Sequence, residues 1–154
     1  MKLVIQRITE GHVEVNGETV GRVGRGLVVY VGIRVDDTDE DLTYCVKKLL
    51  GLRLWDDEAR DRRWDLSVTK CGYEILLVSQ FTLYAHMKGM RLDFHNSMGN
   101  AAAHPFFDKF VKAVRDAYDP EKIQTGAFGE HMQVFTQVDG PVTILVDSRD
   151  RSAP

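Results

Sequence analysis

Leu27-Val28-Val29-Tyr30-Val31 narrows the possible folds of this chain more than any other stretch: five apolar residues in a row, held between Gly26 and Gly32. A strand with one wet face alternates polar and apolar residues, so an unbroken run rich in β-branched residues needs cover on both faces. The run is therefore expected at the centre of a sheet. Ahead of it lie Leu3-Val4-Ile5 with Gln6 and Arg7, then Val13 and Val15, then Val20 and Val23. Asn16-Gly17 between the alternating segments marks a hairpin, because a type I′ turn needs positive φ at both central residues. Residues 2 to 33 thus read as three strands.

Downstream, Asp36 to Asp41 supplies caps and first-turn acids, and Leu42, Cys45, Val46, Leu49 and Leu50 recur at helical spacing up to Gly51, placed as a stop. Leu52 to Trp55 suits a short strand and Asp56 to Arg63 a charged loop. Ile75 to Val78 is a second buried strand that runs straight into Ser79-Gln80-Phe81-Thr82-Leu83-Tyr84. Ala85 to Ala103 has no period and reads as a long loop. Phe106, Phe107, Phe110, Val111, Val114 and Tyr118 form the apolar stripe of a second helix, ended by Asp119-Pro120. Met132 to Val138 and Val142 to Val146 are expected as two strands joined through Asp139-Gly140-Pro141, and Arg149 to Pro154 as a loose tail.

At 154 residues the chain has the size of one domain, and residues 1–148 are assigned to it. No apolar run reaches the roughly 18 residues of a membrane span. The Met1 to Thr9 stretch lacks the length and cleavage site of a signal peptide and reads as a first strand. Cys45 and Cys71 form neither a C-x-x-C pair nor a disulfide framework, which fits a reducing, cytoplasmic compartment. A net charge of −3 argues against a broadly basic nucleic-acid binder, so any RNA contact is expected to be local.

The common catalytic signatures are missing. There is no nucleophile elbow, no phosphate loop and no metal-binding helix, and His12, His86, His95, His104 and His131 are scattered. No metal and no cofactor is expected. Two stretches stand out chemically. Ser79, Gln80 and Thr82 follow a core strand directly, where buried polar groups need either their own backbone or a ligand as partner. Asp139-Gly140-Pro141 suits a tight turn, the plainer reading, yet an X-Pro bond is also the one place where a cis peptide is cheap.

Taken together, Met1-Lys2-Leu3-Val4-Ile5-Gln6-Arg7, the Gly24 to Gly32 strand, Ser79-Gln80-Phe81-Thr82-Leu83-Tyr84-Ala85, Met132-Gln133-Val134 and Asp139-Gly140-Pro141-Val142-Thr143-Ile144-Leu145 resemble the D-aminoacyl-tRNA deacylase family over roughly Met1 to Ser148. The resemblance implies a homodimeric, β-rich mixed α/β fold, a sheet or barrel with two main helices. It implies an active site at the subunit interface that cleaves the ester between a D-amino acid and the 3′ terminal adenosine of tRNA, and that also accepts glycine. Gly140-Pro141 then corresponds to a cis pair entering the partner's pocket, with Arg7 holding its orientation and Met132 among the substrate-binding residues. Ser79, Gln80, Phe81 and Thr82 correspond to a strand on the opposite wall that carries the catalysis. Two routes compete: attack by Thr82 as a covalent nucleophile, or attack by water helped by the ribose 2′-hydroxyl, with main-chain amides near Phe81 and Thr82 as the oxyanion hole; the second is favoured, because no His, Lys or carboxylate stands beside Thr82 in sequence. A non-catalytic nucleic-acid-binding dimer and a general small-ester hydrolase are the alternatives. One departure concerns G-x-R-P-x-F: the segment here is Gly89-Met90-Arg91-Leu92-Asp93-Phe94, with Leu92 in place of proline.

Overall fold

The computed structural model describes residues 1–151. β1 (Lys2–Val15) turns at Asn16 and Gly17, with φ of 50° and 80°, into β2 (Glu18–Val23). Both central residues are left-handed, as a type I′ turn demands. β3 (Gly26–Gly32) returns antiparallel along the first half of β1, from Ile8↔Gly26 to Lys2↔Gly32. After α1 (Asp39–Gly51) come the small hairpin β4 (Arg53–Asp57) and β5 (Arg62–Ser67) and the short α2 (Val68–Cys71). β6 (Glu74–Ser79) then lies parallel to β3. A second small hairpin, β7 (His86–Lys88) and β8 (Arg91–Asp93), precedes α3 (Asn100–Ala117). β9 (Ile123–Thr125) joins β6 in parallel and β10 (Gln133–Asp147) joins β1 antiparallel.

The main sheet runs β10-β1-β3-β6-β9, with β2 on the far half of β1, so β3 is central. Alternation sorts its residues between two cores. Leu27, Val29 and Val31 point with Met1, Leu3 and Ile5 at the helical layer of Cys45, Leu49, Phe107, Phe110 and Val114. Val28 points the other way with Ile8, Val13, Val23, Leu76 and Val78. That second core is enclosed because the sheet curls: a Cβ on Gly21 of β2 would lie 2.2 Å from the Thr125 carbonyl of β9. A side chain there would wedge the barrel-like closure open.

Several boundaries differ from expectation. Gly51 is the last helical residue, and the helix is closed by the Leu52 N–H donating to the Lys48 carbonyl at 3.0 Å. The charged stretch after Trp55 forms a hairpin with a 3-10 turn at Glu58–Arg60, and the long loop after Tyr84 holds β7 and β8. α3 starts at Asn100, with Pro105 inside it. The tail as far as Arg151 is tied down: Arg149 pairs with Asp36 at 2.6 Å and Arg151 donates to the Ser148 carbonyl at 2.6 Å. Residues 152–154 lie outside the described residues. The Met1 ammonium, fully buried, donates to Asp37 and to Ser148 Oγ, each at 2.6 Å, joining the start of β1 to the end of β10.

Candidate active site

The polar residues after β6 do not continue its strand. The Gln80 N–H donates to the Val31 carbonyl at 2.8 Å, one step beyond the last β3–β6 pair, and the chain then coils into a 3-10 turn over Phe81–Tyr84. The expected strand over residues 81–84 is therefore a turn. Its backbone closes through Leu83 N–H to the Gln80 carbonyl (3.3 Å) and Ala85 N–H to the Thr82 carbonyl (3.0 Å). The Gln80 amide bonds Thr82 Oγ1, and Ser97 Oγ donates to the Phe81 carbonyl at 2.9 Å. Phe81 remains 54% exposed, edge-on to Phe94 at 5.0 Å.

Beside this turn opens a cleft of about 290 Å³. Val31, Ile33 and Val78 form its apolar floor; Ser79, Gln80 and Phe81 one wall; Asn100 and Ala103 of α3 and the 128–132 loop, ending in Met132, the other. Ser79, Gln80, Phe81 and Met132 are thus brought together. Thr82 is exposed and outside that lining, and its hydroxyl is bonded to an amide, a group that takes no proton in either orientation. The 128–132 loop was invisible to motif reading, since a wall built from Phe128 and backbone has no chemical signature. Its anchor is the Phe128 ring, stacked on His104 at 4.5 Å. The glycines at 126 and 129, on either side of that aromatic, were the available signal.

Gly140-Pro141 lies elsewhere. β10 is one strand and not two joined by a turn: it pairs with β1 from Glu14↔Gln133 to Lys2↔Asp147, interrupted between Ile8↔Val138 and Gln6↔Thr143. Asp139 to Val142 therefore bulge opposite Arg7, and the Gly140-Pro141 bond within the bulge is cis. Arg7 clamps it. The guanidinium donates to the Leu54 carbonyl (2.7 Å) and the Asp139 carbonyl (3.3 Å) and pairs with the Asp139 carboxylate (3.1 Å). Gly140 has φ +121°, which by itself favours glycine, and a Cβ there would sit 2.9 Å from Val142 Cγ2, 3.1 Å from the Val142 nitrogen and 3.2 Å from the Arg7 guanidinium. Within one chain neither Gly140 nor Pro141 lines the cleft beside Ser79; Arg7 and Asp139 border a separate hollow with Arg25, Trp55 and Tyr73.

Among the described residues no group of three or more His, Cys, Asp or Glu side chains converges as a metal site, and no helix is long and apolar enough to cross a membrane. Glu130 and His131 are the titratable residues of the cleft lining, both exposed. On the neighbouring β7–β8 hairpin, Lys88 and His95 hold the Asp93 carboxyl far below its ordinary range. Leu92, at the position where proline was expected, is 57% exposed.

The family model for D-Tyr-tRNA(Tyr) deacylase matches residues 4–147. The chain is 43% identical over 151 residues to the D-aminoacyl-tRNA deacylase of Dictyostelium discoideum, covering 98% of this chain and 100% of that protein. It is 45% identical over 148 residues to D-aminoacyl-tRNA deacylase 1 of Homo sapiens, covering 96% of this chain and 70% of the human one. A solved structure described as c-Myc DNA unwinding element binding protein superposes with a TM-score of 0.91 at 45% identity, over 96% of this chain and 98% of that one. A second, of a probable eukaryotic D-amino acid tRNA deacylase, shares the fold at a TM-score of 0.82 and 23% identity, over 94% and 97%.

Proposed function

This chain belongs to the D-Tyr-tRNA(Tyr) deacylase family, and from that premise we propose that it hydrolyses the ester of D-aminoacyl-tRNA, and of mischarged glycyl-tRNA, releasing the free amino acid. The observation that carries the reading is the split between a cleft with no activated nucleophile and a bulge, clamped by Arg7, that presents backbone. Each is half of a site. β10 is an edge strand that leaves Phe135 (45%), Val138 (36%) and Leu145 (76%) exposed, a surface suited to a second copy. In the homodimer the Gly140-Pro141 bulge of one protomer closes the cleft of the other over the 3′ adenosine.

Selection then works by exclusion. Main-chain carbonyls hold the α-ammonium and the ester lies along the Ser79–Phe81 wall. An L side chain is driven into the bulge, a D side chain points to solvent, and glycine offers nothing to reject. Water attacks with help from the terminal 2′-hydroxyl, and the Phe81 and Thr82 amides take the oxyanion, each such donor contributing about 3–4 kcal/mol to the transition state. Covalent attack by Thr82 is disfavoured because its hydroxyl is bonded to an amide. The resulting role is chiral proofreading in translation, in the cytoplasm and without a cofactor.

The test compares D-tyrosyl-, L-tyrosyl- and glycyl-tRNA as substrates, with the mass of the active species measured in parallel. Release from the D- and glycyl-esters by a dimer, with the L-ester spared, is expected; equal cleavage of both enantiomers or a fully active monomer overturns the proposal. The likeness to the DNA unwinding element binding protein favours one other reading, a nucleic-acid-binding dimer without turnover. RNA binding with no ester hydrolysis in the same assay would select it.

A further inference from the structure

We infer that Gly32 is a positioning residue for hydrolysis, acting through the turn it supports; the inference rests on the deacylase reading above. Gly32 ends β3, is buried, and lies under the 3-10 turn. A Cβ built on it would stand 2.8 Å from the Cβ of Leu83, 3.3 Å from Leu83 Cδ1 and 3.3 Å from the Gln80 carbonyl oxygen. The nearest of these atoms is fixed to the main chain. No rotamer change relieves it, so the backbone of the turn has to move. Ordinary carbon contacts begin at about 3.5 Å, which sets the displacement at roughly half an ångström or more.

The surroundings decide where that movement goes. At one end of the turn Gln80 is bonded to Val31 of β3 (2.8 Å); at the other Tyr84 is buried, with the Lys2 ammonium 4.9 Å from the centre of its ring. With both ends held, the shift falls on Phe81, Thr82 and Leu83, and the amides of the first two carry the proposed oxyanion contacts. Those contacts tolerate about 0.5 Å, and a misplacement near 1 Å costs on the order of 100-fold in rate. The missing side chain at position 32 therefore lets the catalytic turn seat flat on the central strand. Substrate is held mainly by the cleft and the bulge, so the loss belongs in kcat and not in KM.

The experiment measures kcat and KM on D-tyrosyl-tRNA for Gly32→Ala, for Leu83→Gly and Leu83→Ala, and for both double variants, with thermal unfolding of each. Gly32→Ala is expected to lower kcat about 10- to 100-fold with KM within about threefold. Adding Leu83→Gly, which removes the clashing Cβ, is expected to restore at least a tenfold share of that loss; adding Leu83→Ala, which keeps the Cβ, is not. A merely structural glycine would show neither the kcat-against-KM split nor the difference between the two rescues. A folded Gly32→Ala protein with wild-type kcat, or equal rescue by both Leu83 changes, overturns the inference. Absence of D-ester hydrolysis by the wild-type protein would instead remove the deacylase reading itself.

Discussion

Arg7 holds the bulge through two contacts to Asp139 and is itself anchored by a third to Leu54 of β4, so grading their loss tests whether a stiff backbone wall selects the substrate. Its bonds to the Leu54 and Asp139 carbonyls are 2.7 and 3.3 Å, and its ion pair with the Asp139 carboxylate is 3.1 Å. Hydrogen bonds from a charged donor contribute about 1.5–3 kcal/mol each; both are partly buried, and one is long, so the lower end applies. The ion pair has side-chain exposures of 18% and 30% and adds under about 1 kcal/mol. Arg7→Ala thus removes both hydrogen bonds of the bridge that ties the bulge to Leu54 of β4, roughly 3 kcal/mol in all. Arg7→Lys keeps one acceptor in reach and loses about half of that, because an ammonium lacks the planar fork. Asp139→Asn, which spares both carbonyl bonds, loses less than about 1 kcal/mol. The expected order of activity on D-tyrosyl-tRNA is wild type close to Asp139→Asn, then Arg7→Lys, then Arg7→Ala at about 100-fold below wild type. Cleavage of the L-ester relative to the D-ester should rise along the same order, as the wall that rejects it loosens. Single-turnover deacylation of both enantiomers reads this. A folded Arg7→Ala protein with wild-type rate and unchanged enantiomer ratio would refute the reasoning.

Thr82→Ala is expected to keep activity within about tenfold of wild type, the scale of a positioning loss and not of a removed nucleophile; complete loss of turnover with an intact fold points to the covalent route. Asp37→Asn leaves the Met1 ammonium buried without its counter-charge, where both partners have no side-chain exposure, and should cost about 3–5 kcal/mol, lowering Tm by on the order of 10 °C in thermal unfolding. An unchanged Tm would contradict it. Burial pushes the Asp41 carboxyl up, but hydrogen bonds from Ser148 Oγ, the Thr38 N–H and Thr38 Oγ1 outweigh it and bring the pKa from 3.8 down to about 2. Its contribution is therefore complete above about pH 4 and lost as pH falls towards 2. Denaturant titrations across that window should show a flatter pH slope for Asp41→Asn than for wild type. Burial also raises the Cys45 thiol to about 12, so it should resist thiol reagents until the protein unfolds.

The parts that were legible in the sequence are those whose cause is local. Asn16-Gly17 carries its turn in its own φ preferences, and the Leu27–Val31 run carries its burial in its composition. Contacts between distant segments overrode the local signals elsewhere. Asp139-Gly140-Pro141 reads as a hairpin turn, but β1 is long enough, at 14 residues, to pair with both flanking segments at once, and the would-be turn becomes a bulge within one strand. The strand after Val78 ends early because the backbone seats over Gly32 as a turn, a contact between residues about fifty positions apart. The stretch read as loop up to Ala103 already contains the first turn of α3, which runs from Asn100. The candidate site followed the same division. Its polar wall, Ser79 to Phe81, was visible as misplaced polarity, whereas the 128–132 wall is packing and backbone and could not be read from residue types.

A site that must accept any D side chain while excluding every L one cannot rely on side-chain recognition, and under the proposed function the arrangement on this chain answers that requirement. Any side chain facing the α-carbon would favour some substrates over others, so the excluding surface has to be main chain. Regular strands bond their main chain to neighbours and cannot present it; a bulge frees it locally, and an edge strand frees it outward. β10 is an edge strand with a bulge of that kind, stiffened from behind by Arg7. The same strand leaves apolar side chains exposed around the bulge, so the surface that brings two copies together would also deliver the wall to the cleft. Under the proposed function, dimerisation and stereoselection would be one interaction. Leu145→Lys, placed at the most exposed apolar position of β10, should weaken association and D-ester turnover in parallel as protein concentration is lowered; turnover per chain that stays constant on dilution into the monomeric range would separate the two and break the argument.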